Sequence, residues 1–246
     1  MTPTNELDRR LIERCEAIPD DPSVGDYVVI DVFHFSNTVI ELFANGAEYV
    51  HITEERGEEP AFKAERPEAR IGGGTTPAYE PEPGYDFFNS PSYVQRVDVR
   101  GRPVSMTSTN GGRAVARLRD VLGPHSRVYV GSTTNAWALA DHLRASDRPT
   151  YLVSAGSQGD VAIEDHVGAT LISRALDGFA LAAAERDVFR RQVRLAKGPD
   201  YPEKNEVRRR DVHDYALAFG SRSVLPRLAG ESLVDVARRS DQATSD

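Results

Sequence analysis

Cysteine is almost missing from this chain: Cys15 is the only one among 246 residues, so an internal disulfide is excluded. A catalytic thiolate needs an electropositive setting. Cys15 instead shares one face with Leu7, Leu11 and Ile12 in a helix expected over residues 5–18, and reads as a small buried hydrophobe. Long apolar runs are absent too. None approaches the ~18–20 residues needed to cross a bilayer. The first twenty residues mix Asp, Glu and Arg without an apolar leader core, so the expectation is a cytoplasmic protein with no membrane partner.

Lysine is scarce, with Lys63, Lys197 and Lys204 set against 27 arginines, and the net charge is −8. That balance speaks against nucleic acid as a main partner. A small anionic substrate would need local positive charge, or a metal, to offset the global repulsion. The six histidines show no His-x-His or His-x-x-x-His spacing, which argues against zinc. Neither a Gly-x-Ser-x-Gly elbow nor a Gly-x-Gly-x-x-Gly or Walker-type phosphate loop occurs.

What the chain does have is a recurring design of apolar run, small-polar loop and helical pattern. Hydrophobic residues at 39% and charged residues at 28% fit a folded α/β chain. Residues 27–33 (YVVIDVF) read as a buried strand, Ser36, Asn37 and Thr38 supply helix-start chemistry, and Asn45 with Gly46 closes the helix. A strand over 47–52 would complete a βαβ unit. Residues 53–70 read as a solvated helix and loop, and 72–84 as irregular. Strands follow over 104–108, 127–130 and 151–154, with helices over 113–122, 136–143 and 164–176. The remainder from Ala180 reads as mainly helical, with a charged tail from about 237. The expected fold is one three-layer α/β/α domain over residues 1–246, with a largely parallel or mixed sheet. In such sheets ligands bind beyond the carboxyl ends of the strands, which gathers the strand-end loops into one candidate site.

Asp31 stands near the end of an apolar strand, where a carboxylate is costly unless it is paired, bound to a metal, or capping a helix; these readings stay open. Residues 107–113 (TSTNGGR) join strand to helix with hydroxyls, an amide and two glycines, a composition suited to an anion cradle or an ordinary capped turn. Glu164 and Asp165 open a helix, where acids stabilise the dipole, and with Asp31 they also make an oxygen set of the kind Mg²⁺ takes.

The order of these segments resembles the 2-phosphosulfolactate phosphatase family. Ile30, Asp31 and Val32 leading to Ser36, Asn37 and Thr38, then residues 44–47 (ANGA), resemble its opening motif. Asn89, Ser90 and Pro91 resemble its Asn-Ser-Pro motif, and residues 108–114 its Thr-Thr-Asn-Gly-x-Arg-Ala segment. Gly131, Ser132, Asn135 and Ala136, then Ser154, Ala155 and Gly156 with Glu164 and Asp165, look like the rest. The resemblance implies Mg²⁺-dependent hydrolysis of a phosphate ester of a sulfonated lactate, on the way to coenzyme M. It implies that Asp31, Glu164 and Asp165 hold or orient the cation. Thr109, Asn110, Gly111 and Arg113 would meet phosphate, and Asn89 and Ser90 would shape the site. Ser36, Asn37, Ser132 and Asn135 are further candidate ligands from the matching loops.

The chain departs from the family pattern twice. His34 and Phe35 stand where the family has Arg and Ala, and residues 71–75 (IGGGT) stand where it has a Gly-Glu-Arg stretch. If His34 replaces the arginine that meets the substrate, it serves only when protonated, and affinity should fall as pH rises through neutrality. Two functional readings stay open: a phosphatase acting on a small phosphorylated acid, or a silent relative that binds a small anion or serves as an assembly partner. Homo-oligomerisation is compatible with either.

Overall fold

The computed structural model describes residues 6–238. In chain order it contains α1 (Glu6–Arg10), β1 (Leu11–Ile12), β2 (Asp26–Ile30), α2 (Phe35–Ala44), β3 (Tyr49–Ile52), α3 (Glu59–Glu65), β4 (Arg70–Gly73), β5 (Phe87–Phe88), α4 (Pro91–Val94) and β6 (Pro103–Met106). There follow α5 (Gly111–Val121), β7 (Arg127–Gly131), α6 (Ala136–Arg144), β8 (Thr150–Ser154), α7 (Ile163–Leu176), α8 (Ala183–Leu195), α9 (Glu206–Arg210), a π-helical turn (Asp211–Ala216), β9 (Pro226–Ala229) and β10 (Ser232–Asp235).

The ten strands form one mixed sheet in the order β1-β8-β2-β7-β9-β10-β3-β6-β4-β5. β1, β8, β2 and β7 are mutually parallel, and so are β3, β6, β4 and β5. Between the two blocks lies the antiparallel β9–β10 hairpin, which pairs with β7 through Tyr129↔Arg227 and with β3 through Ser232↔His51 and Leu233↔Val50. Followed through those pairings, β2 and β3 run in opposite senses. The expected βαβ unit over residues 27–52 is therefore replaced by a connection between blocks.

Strand alternation sorts the core. Val28 and Ile30 of β2 pack with Tyr129, Leu152, Leu139 and Ile172, against α6 and α7 on one face. Val29, with Val130 and Val153, packs on the other face against α2 and α5, together with Val50, Ile52, Val104 and Met106 of the second block. Helices thus cover both faces of the sheet in three layers. Each fully buried Val or Ile contributes roughly 1.5–3 kcal/mol by leaving water. Every residue of α2 from Phe35 to Phe43 is buried, as expected of a helix with sheet or helix on every side.

Three local expectations are corrected. The N-terminal helix spans only Glu6–Arg10, because Leu11 and Ile12 leave it to pair with Leu152 and Val153 as an edge strand; Cys15 is buried regardless. The glycine stretch at 72–74 is not wholly irregular: Gly72 and Gly73 belong to β4, and a Cβ on Gly72 would lie 2.1 Å from the Phe87 ring of β5. The segment after Ala180 contains the β9–β10 hairpin as well as helices, turned at Gly230 with φ +63°. The expected tail from 239 onward lies outside the described residues.

Candidate active site

β2 ends at Ile30, so Asp31 emerges at its carboxyl end already 4% exposed. Its Oδ2 accepts the Gly111 N–H at 3.0 Å and its Oδ1 the Phe35 N–H at 3.4 Å, so one carboxylate receives the first N–H groups of both α5 and α2. Helix starts have unpaired N–H groups and positive dipole ends, and a carboxylate satisfies both. Burial nevertheless dominates: it raises the Asp31 carboxyl to about 6, against the two N–H donors, with Glu164 raising it further and Lys197 opposing. Gly111 is required by packing, since a Cβ there would lie 2.3 Å from Phe35 Cδ1 and 2.9 Å from Asp31 Cβ. The sequence assigned Gly111 to phosphate; its N–H is instead taken by Asp31.

The other two expected cation ligands are differently employed. Asp165 Oδ1 accepts the Val32 N–H at 2.8 Å and Oδ2 the Gly156 N–H at 3.1 Å, so this buried carboxylate clamps the segment after β2 to the loop after β8. Burial, then the charges of Asp31 and Glu164, push its carboxyl well above the usual range. Glu164, 3% exposed, pairs with Lys197 Nζ at 2.9 Å. Among the described residues no group of three His, Cys, Asp or Glu side chains is placed to hold a metal ion. The three-carboxylate cage expected from sequence therefore does not fit this geometry. Mg²⁺ often takes one carboxylate plus water and substrate oxygens; Asp31 alone of the three lines the cavity and fits that smaller role.

That cavity holds about 500 Å³. Asp31 and His34 line it after β2, Gly73 and Gly74 at the end of β4, Asn89 after β5, residues 107–110 after β6, and Ser157 after β8. The carboxyl ends of both parallel blocks thus contribute to one site. Lys197, Tyr201 and Arg208, from the segment after α8 and from α9, close it with Arg56 from the loop before α3. Asn89 Oδ1 is buried without a hydrogen-bond partner.

His34 is not the cationic substitute anticipated from the sequence. It is buried, and burial, then Arg208 and Lys197, hold its imidazole well below its ordinary value, so it is neutral. Its Nε2 lies 2.7 Å from the Tyr201 hydroxyl, and its Nδ1 faces Asp211 Oδ2 at 3.9 Å. Asp211 is itself fixed by Ser90 Oγ at 2.7 Å, the Ser92 N–H at 3.0 Å and Arg208 Nη1 at 3.2 Å. A carboxylate facing Nδ1 favours the Nδ1–H tautomer, which leaves Nε2 to accept the Tyr201 O–H. Arg208 also stacks on Tyr79 and Tyr201, with ring centroids at 5.1 and 5.7 Å.

Several expected ligands sit outside the cavity. Asn135 uses its side chain on Ser132 N, Val130 O and Val224 O, and Asn37 on Val32 O and Thr134 Oγ1. Ser36 Oγ accepts the Asp31 N–H at 2.9 Å, Ser132 is fully buried, and Arg113 is half-exposed and paired with Glu16. Ser90 positions Asp211 and caps α4. Asn89, Thr109 and Asn110 do face the cavity. Sequence reasoning missed Arg56, Lys197, Tyr201 and Arg208; the rarity of lysine was the one available signal, and it did not separate Lys197 from Lys63 and Lys204.

Comparison with known proteins agrees with the family resemblance. The chain is 31% identical over 153 residues to a probable 2-phosphosulfolactate phosphatase of Clostridium beijerinckii, covering 61% of this chain and 62% of that protein. A protein of the same name from Clostridium botulinum is 32% identical, over 57% of each. One from Symbiobacterium thermophilum is 31% identical, over 67% of this chain and 72% of the relative. The first two matches thus span less than two thirds of the relatives' length. Residues 12–210 match the family model described as 2-phosphosulpholactate phosphatase, and the chain belongs to that family.

Proposed function

We propose that this protein hydrolyses the phosphate monoester of a small acid, 2-phosphosulfolactate or a related compound. The observation that carries the reading is a single cavity in which one buried carboxylate, Asp31, shares the wall with Arg56, Lys197 and Arg208. The relatives' names point to the same chemistry. In a chain of net charge −8, that local cation set is what an anionic substrate needs. It also supplies the positive charge missing where His34 stands in the family's arginine position.

Phosphate would lie against the hydroxyls and amide of residues 107–110, at the amino end of α5. Asp31, with a carboxyl at about 6, is poised as a general base near neutral pH. A water proton passes to Asp31 as the water oxygen bonds to phosphorus and the ester P–O bond breaks; the substrate's ester oxygen leaves as an alcohol by taking that proton back from Asp31. Mg²⁺, held by Asp31 and substrate oxygens, would neutralise charge on the transferring phosphoryl group. With the sulfonated lactate as substrate, the product would feed coenzyme M formation.

Phosphate release from 2-phosphosulfolactate and from p-nitrophenyl phosphate, with Mg²⁺ and with EDTA, tests the proposal. Release that requires Mg²⁺ is the expected result. No release from either, with anion binding retained, would leave the silent anion-binding relative as the reading.

A further inference from the structure

Three cations line the cavity, and their present partners decide which can turn to a ligand. Lys197 pairs with Glu164, 3% exposed, and Arg208 with Asp211, 0% exposed. Withdrawing either cation would strand a buried carboxylate, which is strongly unfavourable. Arg56 is different. Its Nη2 lies 2.7 Å from Glu82 Oε1, with the two side chains 51% and 37% exposed. An exposed pair of this kind is held weakly, and water resolvates Glu82 once Arg56 leaves.

The base of the Arg56 loop is fixed although its tip is exposed. Glu59 is fully buried and accepts Thr53 Oγ1 at 2.6 Å, the Gly57 N–H at 3.0 Å and the Tyr85 hydroxyl at 2.9 Å. The guanidinium reaches the cavity by lying over Gly74, where a Cβ would stand 1.5 Å from Nη2.

We propose that Arg56 is the specificity-determining residue of the cavity: it exchanges Glu82 for the acid group that the substrate carries beside its phosphate. The assignment rests on the phosphatase reading for the identity of the ligand, but not for its test. A guanidinium meets carboxylate or sulfonate oxygens in bidentate fashion, and such charged hydrogen bonds correspond to roughly ten- to hundredfold in affinity. The Ser-Thr-Asn loop serves the phosphate, with Lys197 and Arg208 adding positive charge from where their buried partners hold them; Arg56 reads what else the molecule bears.

The test uses non-hydrolysable probes and calorimetry on the whole protein. Phosphonoacetate carries a phosphonate and a carboxylate; methylphosphonate carries only the first. Wild type should prefer phosphonoacetate. Arg56→Ala should weaken phosphonoacetate by about ten- to hundredfold and methylphosphonate by less than about twofold. Gly74→Ala should give the same pattern more mildly, because its Cβ displaces the flexible ends of Arg56 and Glu82 and meets no backbone. Arg56→Lys should fall between, since ammonium keeps charge but not the fork. Equal weakening of both probes, or of neither, would overturn the assignment. So would a wild type without preference. A wild type that discriminates through Arg56 yet releases no phosphate from any monoester sinks the phosphatase reading and leaves Arg56 as an acid-group reader.

Discussion

Around Asp31 the site is made of backbone: N–H groups of Gly111 and Phe35 on Asp31, and of Val32 and Gly156 on Asp165, all delivered at helix starts or strand ends. Around His34 it is made of side chains: Tyr201 is hydrogen-bonded to His34, Arg208 is bonded to Asp211 and stacked on Tyr201, and Arg56 lines the same cavity. The backbone side is determined by local geometry and changes only if the fold changes. The side-chain side can be exchanged residue by residue without disturbing the strands and helix starts that carry Asp31.

The comparison breaks most decisively at Asp31. Asp31→Asn should lower kcat by at least ~10²-fold while the protein stays folded, as checked by phosphate release and circular dichroism. Near-normal turnover in that variant would move the chemistry to another group.

Next in size is a contrast between two arginines. Arg208→Gln should cost about 3 kcal/mol in urea unfolding, because Asp211 is left buried without its cation, whereas Arg56→Gln should cost under ~0.5 kcal/mol. Equal losses would erase the distinction drawn between a committed and an exchangeable cation. Gly111→Ala belongs with the large effects, at about 1–3 kcal/mol, since its Cβ would press on Phe35 and Asp31.

The pH dependence comes from the backbone side. With Asp31 acting as a carboxylate at about 6 in the metal-free protein, kcat/KM should fall as pH drops below that value and level above it. The fall should move to lower pH as Mg²⁺ is raised, because a cation on Asp31 favours its charged form. Stability should move the other way. The folded state holds this proton more tightly than the unfolded chain, whose carboxyl sits near 3.8. The contribution is full below about 4 and is lost as pH rises through about 6. A melting temperature insensitive to pH over that window would contradict the burial argument. The smallest effect concerns His34: being neutral already, it should add no inflection between about pH 6.5 and 8.5, and His34→Gln should leave the profile shape in that range unchanged.

Asp31 was legible because a carboxylate ending an apolar strand is conspicuous, and the loop at 107–113 because hydroxyls and glycines before a helix are. What could not be read was direction. Asn37 in the first turn of α2 and Asn135 at the start of α6 follow strand ends much as Asn110 does, yet their amides turn inward and satisfy backbone carbonyls, whereas Asn110 lines the cavity. Arg208 was hidden for another reason: within the run Arg208, Arg209 and Arg210 it looks like part of a solvated helix face, and only tertiary packing separates it from its neighbours. The β9–β10 hairpin was missed because two four-residue strands around a single glycine turn offer little periodicity.

That hairpin also sets a timetable. It is the only stretch that pairs with both parallel blocks among the described strands, and it occupies residues 226–235, beyond the part that matches the family model. Every residue that lines the cavity, up to Arg208, is translated before it. While the chain is still leaving the ribosome, the two groups of strands can each take shape, but no continuous sheet joins them until β9 and β10 emerge. The wall of the cavity is therefore written earlier in the message than the hairpin that locks it.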